Sequence, residues 1–264
     1  MTILDKIIAN KRTEVAKAMV EVPVEELKKS VYYHRPTLSL KQRLLNEALS
    51  GIIAEFKRKS PSKGEIHPEA SVEEIVSGYG VQGAAGISIL TDQDFFGGSR
   101  EDLLRAREAS PFTPLLRKDF MIHEYQLHEA RAWGADVILL IAANLTPEEI
   151  LQLSRKAKEL ELEVLLEIHD REELERSRLE YVDILGVNNR NLKNFAENNV
   201  NASLNLIKHL PAGMVKISES CISRPETVRQ LKNAGYQGFL MGENFMKTAN
   251  PAVALNEFIK AVSG

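Results

Sequence analysis

From residue 51 onward the chain alternates short apolar runs with stretches in which apolar residues recur every three or four positions. The runs are 51–57 (GIIAEFK), 85–90 (AGISIL), 113–118 (TPLLRK), 135–141 (ADVILLI), 162–168 (LEVLLEI), 182–187 (VDILGV), 214–218 (MVKIS) and 237–241 (QGFLM). They are almost continuous in Ile, Leu and Val, the pattern of parallel strands covered on both faces. Helix start signals lie between them: Ser71 ahead of VEEI, Thr146-Pro147-Glu148 ahead of EILQL, and Asp170 ahead of REEL. Arg224-Pro225-Glu226 opens TVRQL with proline at a first helical position. Gly134 and Gly235 stop helices just before strands. Eight strand–helix units averaging about 27 residues predict a (β/α)8 TIM barrel. A doubly wound open sheet is the alternative, but its usual GxGxxG turn is absent after the first run.

Residues 1–48 depart from the repeat. Helical patterns at roughly 2–19, 24–30 and 39–48, with turn character at Tyr32–Pro36, predict an N-terminal helical extension packed on a catalytic barrel of residues 49–264. Forty-eight residues are too few for a core of their own.

Composition and charge remove several function classes. With 264 residues, 44% hydrophobic and 27% charged, the chain is of ordinary globular type. A net charge of -3 gives no electrostatic footprint for nucleic acid or an anionic membrane. The local basic cluster Lys57-Arg58-Lys59 with Lys63 sits beside glutamates and suits a small anion instead. No run approaches the roughly 18–20 apolar residues of a membrane span. The first 22 residues are amphipathic, interrupted by Asp5 and Glu14, and lack a signal-peptide core. Cys221 is the only cysteine, so no internal disulfide forms, which suits a reducing compartment and a cytoplasmic protein. Six histidines form no HExxH pattern, and no metal is expected. His123 and His128, five apart, read as surface residues. His169 reads as a loop or capping residue before it reads as support for Glu167.

The chemistry concentrates at the carboxyl ends of the predicted strands, where such barrels carry their active sites. Glu55 and Lys57 are two apart and therefore share a face, as do Gly186, Asn188 and Arg190. Lys118 ends the third run, Glu167 the fifth, and Glu219 and Ser220 follow the seventh. Desolvating lone charges is expensive, so their recurrence at strand ends points to paired or catalytic groups. Gly242, followed by ENFMK, suits the short helix that binds phosphate after the last strands of many barrels.

In chain order, IAEFKRKSPSKG, LTDQDFFGGS, LLRKDF, GADVILLI, EVLLEIHD, LGVNNRNL, ISES and FLMGENFM resemble the indole-3-glycerol-phosphate synthase family over the whole length, extension included. That resemblance implies a carboxy-lyase of tryptophan biosynthesis. It implies Lys118 as general acid, Glu167 as second catalytic carboxylate, and Glu55 with Lys57 for dehydration and for orienting the anthranilate carboxylate. It further implies Asn188 and Arg190 as substrate-holding residues, Phe96, Phe120 and Leu192 as apolar walls, and Ser60, Glu219 and Ser220 as substrate-binding residues. Cys221, Gly242 and Glu243 would form the phosphate end. No cofactor is implied. The implied partner is a small phosphorylated anion, not nucleic acid or membrane, with association with other tryptophan-pathway enzymes as the one macromolecular contact it admits. The sister barrel phosphoribosylanthranilate isomerase carries a Cys base where this chain has Glu55 and Lys57. One position departs from the resemblance: the family usually reads SESGI, and this chain reads SESCI. Because Ser218-Glu219-Ser220 is retained, we expect the loop to keep its shape with Cys221 at negative φ.

Overall fold

The structure, a computed structural model, describes residues 2–61, 64–190 and 199–263. Each of the eight apolar runs is a strand: β1 Ile52–Phe56, β2 Gly86–Leu90, β3 Leu115–Lys118, β4 Val137–Ile141, β5 Glu163–Ile168, β6 Ile184–Asn188, β7 Val215–Glu219 and β8 Gly238–Met241. All pair in parallel, and β1 joins both β2 and β8 to close the (β/α)8 barrel. β6 and β7 extend one residue beyond their apolar runs because Asn188 and Glu219 are themselves register partners. A two-stranded hairpin, Lys59–Ser60 against Gly64–Glu65, follows β1 and carries no apolar alternation by which to foresee it.

The cap residues act as expected. Ser71 accepts from the Glu74 amide, Asp170 from the Glu173 amide, and Thr146 forms a capping box with Glu149. Strand parity then divides the core. Outward residues such as Ile52, Ala54 and Phe56 pack under the helices, while Ile53, Leu116, Leu139, Leu165, Ile217 and Leu240 fill the barrel.

The extension contributes to that inner layer. Its helix Leu40–Leu45 inserts Leu40 and Leu44 into the amino-terminal end of the barrel. Two strand glycines make the space: a Cβ on Gly86 would lie 2.5 Å from Leu40 Cδ1, and one on Gly238 2.9 Å from Leu44 Cδ2. The helix Val24–Leu27 is shorter than the pattern suggests, since tight i→i−3 turns take over and the Ser30 hydroxyl donates to the Ala132 carbonyl.

The first helix, Ile3–Glu21, reaches the opposite, carboxyl end. Lys11 on this helix is fully buried, its Nζ 2.8 Å from Glu14, 3.0 Å from Asp92 and 2.9 Å from Asp119. Val15 packs with Leu27, Tyr33, Tyr125 and Ala132. This docking also corrects one expectation. His123 is exposed, but His128 is buried, stacked on Tyr33 with its Nδ1 against the Tyr33 hydroxyl. The extension covers a helix face that a bare barrel would leave wet. Among the described residues no helix is long and apolar enough to cross a membrane.

Candidate active site

Inward parity brings Glu55, Lys118, Glu167, Asn188 and Glu219 to one level at the carboxyl end of the barrel, beneath a cavity of about 680 Å³. The Lys118 ammonium lies 3.3 Å from Glu167 Oε2 and 3.2 Å from Glu219 Oε2. Lys57 pairs with Glu55 at 2.5 Å. Two positions without side chains accommodate the carboxylates. A Cβ on Gly186 would stand 2.1 Å from Glu219 Oε1, and one on Gly242 2.6 Å from Glu55 Oε1.

Burial and charge pull these groups apart in acidity. Burial alone would lower the Lys118 pKa, but Glu219, Glu167 and Glu55 outweigh it and hold it above the ordinary lysine range. Burial would raise Glu167, yet Lys118, His169 and a hydrogen bond from Asn188 keep it below the usual carboxylate value. Glu219 goes the other way. Burial, with help from Glu167 and Glu55, pushes it up to about 7 despite Lys118. Its Oε1 is buried and, among the described residues, has no hydrogen-bond partner. One ammonium thus sits between a carboxylate that stays ionised and one that takes up a proton near neutrality, an arrangement suited to acid–base chemistry.

The remaining predicted residues surround the same cavity. Phe96 and Phe120 form a tilted pair with ring centroids 6.1 Å apart, an apolar wall on one side. Ser60 enters from the hairpin. Asn188 Oδ1 accepts from the Arg190 amide at 3.0 Å, and the Arg190 guanidinium lies 3.9 Å from Glu243. Ser220, Cys221, Gly242 and Glu243 line the far end, where Glu243 opens the short helix Glu243–Met246. Glu219 is 1% exposed and stands beneath Lys118 rather than on the cavity wall. Leu192 lies outside the described residues.

Sequence patterns did not reveal every cavity residue. Ile3, Leu4 and Ile7 line it from the first helix, whose apolar face was legible but not its destination. Lys247, Asn244 and Asp119 also line it. His169 does too, and its spacing from Glu167 and Glu173 was the available signal.

The Cys221 backbone does not keep the expected conformation. Cys221 has φ 59 and Ser220 φ 66, both left-handed. The chain must reverse sharply after β7, while Asn189 Nδ2 holds the Glu219 carbonyl at 2.9 Å and the Ser220 carbonyl at 3.3 Å. A left-handed side-chain-bearing residue is strained by about 1–2 kcal/mol. Glycine would relieve that strain but gain roughly 0.4–1 kcal/mol of freedom in the unfolded chain. Cys221→Gly should therefore stabilise the protein by about 1 kcal/mol, read as a higher thermal midpoint. A lower midpoint would show that the thiol contributes packing the strain argument omits.

The family model described as indole-3-glycerol phosphate synthase matches residues 4–258. The chain belongs to the indole-3-glycerol phosphate synthase family. It is 49% identical over 260 residues to the indole-3-glycerol phosphate synthase of Bacteroides thetaiotaomicron, covering 98% of each chain. With that of Salinibacter ruber it is 43% identical, covering 97% of this chain and 94% of the other. Among solved structures, a thiamine phosphate pyrophosphorylase from Pyrococcus furiosus matches with a TM-score of 0.61 at 14% identity, over 85% of this chain and 98% of that one. A mutant tryptophan synthase alpha-subunit from the same organism gives 0.59 at 16%, over 82% and 98%. Those two likenesses carry the barrel fold alone. Membership in the indole-3-glycerol phosphate synthase family makes the protein a carboxy-lyase of tryptophan biosynthesis.

Proposed function

We propose that the cavity carries out the family's ring closure with Lys118 as general acid. The reaction converts 1-(o-carboxyphenylamino)-1-deoxyribulose 5-phosphate to indole-3-glycerol phosphate with loss of CO2 and water. The observation that carries the assignment is the Lys118 ammonium held between Glu167 and Glu219 under the Phe96–Phe120 wall. As the ring carbon attacks the carbonyl carbon, the carbonyl oxygen takes a proton from Lys118 Nζ. Loss of CO2 returns the bonding pair to the ring. The new hydroxyl then takes a second proton from the Glu55–Lys57 pair and leaves as water, while Glu167 takes the proton that the former CH2 carbon loses as the indole double bond forms. Glu219, able to hold a proton near neutrality, recharges Lys118.

Asn188, Arg190 and Lys57 hold the substrate carboxylate and sugar hydroxyls, and Ser60 and Ser220 add hydrogen bonds. Cys221, Gly242 and Glu243 surround the phosphate. Lys57, Lys118 and Arg190 face a ligand of roughly −2.5 to −3 charge. We further propose that residues 1–48 act as an extension of the barrel rather than a separate domain, and that the enzyme works in the cytoplasm on this small anion without a cofactor. Its net charge of -3 gives nucleic acid and anionic membranes no hold, and supports a small-molecule role. The test is to mix purified protein with the carboxyphenylamino substrate and follow indoleglycerol phosphate fluorescence. Steady growth of that signal is expected, and none at substrate saturation would sink the reading.

A further inference from the structure

The end of β5 holds an imidazole to which the roles above give no part. His169 lines the cavity, its side chain 15% exposed. Its Nδ1 lies 3.2 Å from Glu173 Oε2, and its Nε2 lies 3.5 Å from Glu167 Oε1. Glu173 is fixed in turn. Its Oε2 accepts the His169 amide at 2.7 Å, and its own amide donates to Asp170 at 2.9 Å. Lys118 approaches the other oxygen of Glu167, Oε2, so the carboxylate is gripped from both sides. The charged groups facing the imidazole are Glu167 and Glu173, with Glu219 behind Glu167 and Lys118 between those two glutamates. We propose that His169 is a positioning residue of the reaction, clamped on Glu173 so that it fixes the rotamer of Glu167 and preserves its negative charge while Lys118 gives up and regains its proton.

The physical need arises in mid-reaction. Once Lys118 has protonated the substrate, Glu167 and Glu219 face a neutral amine, and the next proton goes to the more basic of the two. A second cation beside Glu167 directs that proton to Glu219, which is hydrogen-bonded to Lys118 and can return it. Burial lowers the pKa of His169, but the Glu173 hydrogen bond and the charges of Glu167 and Glu173 raise it above the ordinary histidine value. The contacts with Glu173 and Glu167 thus favour the protonated imidazole. This inference rests on the proposed roles of Lys118 and Glu167.

The experiment compares pH profiles of kcat/KM for wild type, His169→Gln, Glu173→Gln and the double variant. Glutamine keeps a hydrogen bond but no charge, so His169→Gln should move the acid limb to higher pH by about half a unit, and Glu173→Gln, which only loosens the clamp, should move it less. On that limb the loss should reach about threefold and shrink to nothing above about pH 8. The double variant should shift no further than His169→Gln, because both act through one contact. In wild type, the His169 imidazole followed by nitrogen NMR should titrate above free histidine, and it should fall in Glu173→Gln. An unmoved acid limb with native circular dichroism, an equal loss at every pH, or an imidazole titrating below free histidine would overturn the inference. Glu167→Gln separates the two readings. If it is inactive while the His169→Gln limb stays put, only this inference fails, whereas full turnover in Glu167→Gln overturns the role of Glu167 as well.

Discussion

Lys118→Ala should lower kcat by at least about 100-fold while leaving the far-ultraviolet circular dichroism spectrum unchanged. A positioned general acid contributes about 10²–10⁴ in rate, and no other described cation lies within ion-pair distance of both Glu167 and Glu219. The fold should survive because the variant leaves two carboxylates facing each other, and such a pair relieves its repulsion by sharing a proton. Glu219 already stands ready to take one. Lys118→Arg should fold equally well and stay impaired, since a guanidinium keeps the charge but does not release a proton near neutral pH. Steady-state kinetics beside a melting curve separate the two effects. Near-wild-type turnover in Lys118→Ala would remove that residue from the mechanism.

Lys11→Met should destabilise the protein by about 3–5 kcal/mol and raise KM, for one structural reason. The ammonium is 0% exposed and faces Asp92 and Asp119, themselves 1% and 2% exposed. Deleting one partner of a buried pair strands the other, and Asp119 would keep one described cation, Arg117 at 3.0 Å, beside hydrogen bonds from the Thr91 hydroxyl and the Phe120 amide. Burial would raise the pKa of Asp119, but Lys11 and Arg117 hold it down at about 2. A carboxylate depressed in the folded state adds stability above its unfolded pKa of 3.8, lost as pH falls through about 2. Without Lys11 that acid limb should move upward. Ile3, Leu4 and Ile7 ride on the same helix and line the cavity, so loosening it should weaken substrate binding. Denaturant melts at two pH values and a KM measurement check this. Stability within about 1 kcal/mol of wild type, with KM unchanged, would mean that apolar contacts alone dock the helix.

The barrel was legible because its strands are buried on both faces and so read as unbroken apolar runs, and because helix caps such as Ser71 and Thr146 are local signals. The charged level was legible for a similar reason. Glu55, Lys118 and Glu167 interrupt those runs at a fixed end, and the register turns that position into proximity. What escaped depends on contacts across long separations. Lys11 meets Asp92 and Asp119 only after the extension docks, and His128 is buried by that same docking. The left-handed φ of Cys221 is set by the reversal after β7, about which neighbouring residue types say little.

The plug formed by Leu40 and Leu44 also imposes an order on synthesis. Leu44 packs at Gly238 and against the inner layer that includes Ile217, so its binding place does not exist until the last strand has been made, roughly 190 residues later. The helix that carries them leaves the ribosome early and is thus among the last to find its seat, with its apolar side chains unsheltered through most of translation. Chains interrupted before β8 would carry an open barrel edge and an unplaced plug together, and should depend on chaperones far more than the finished enzyme does.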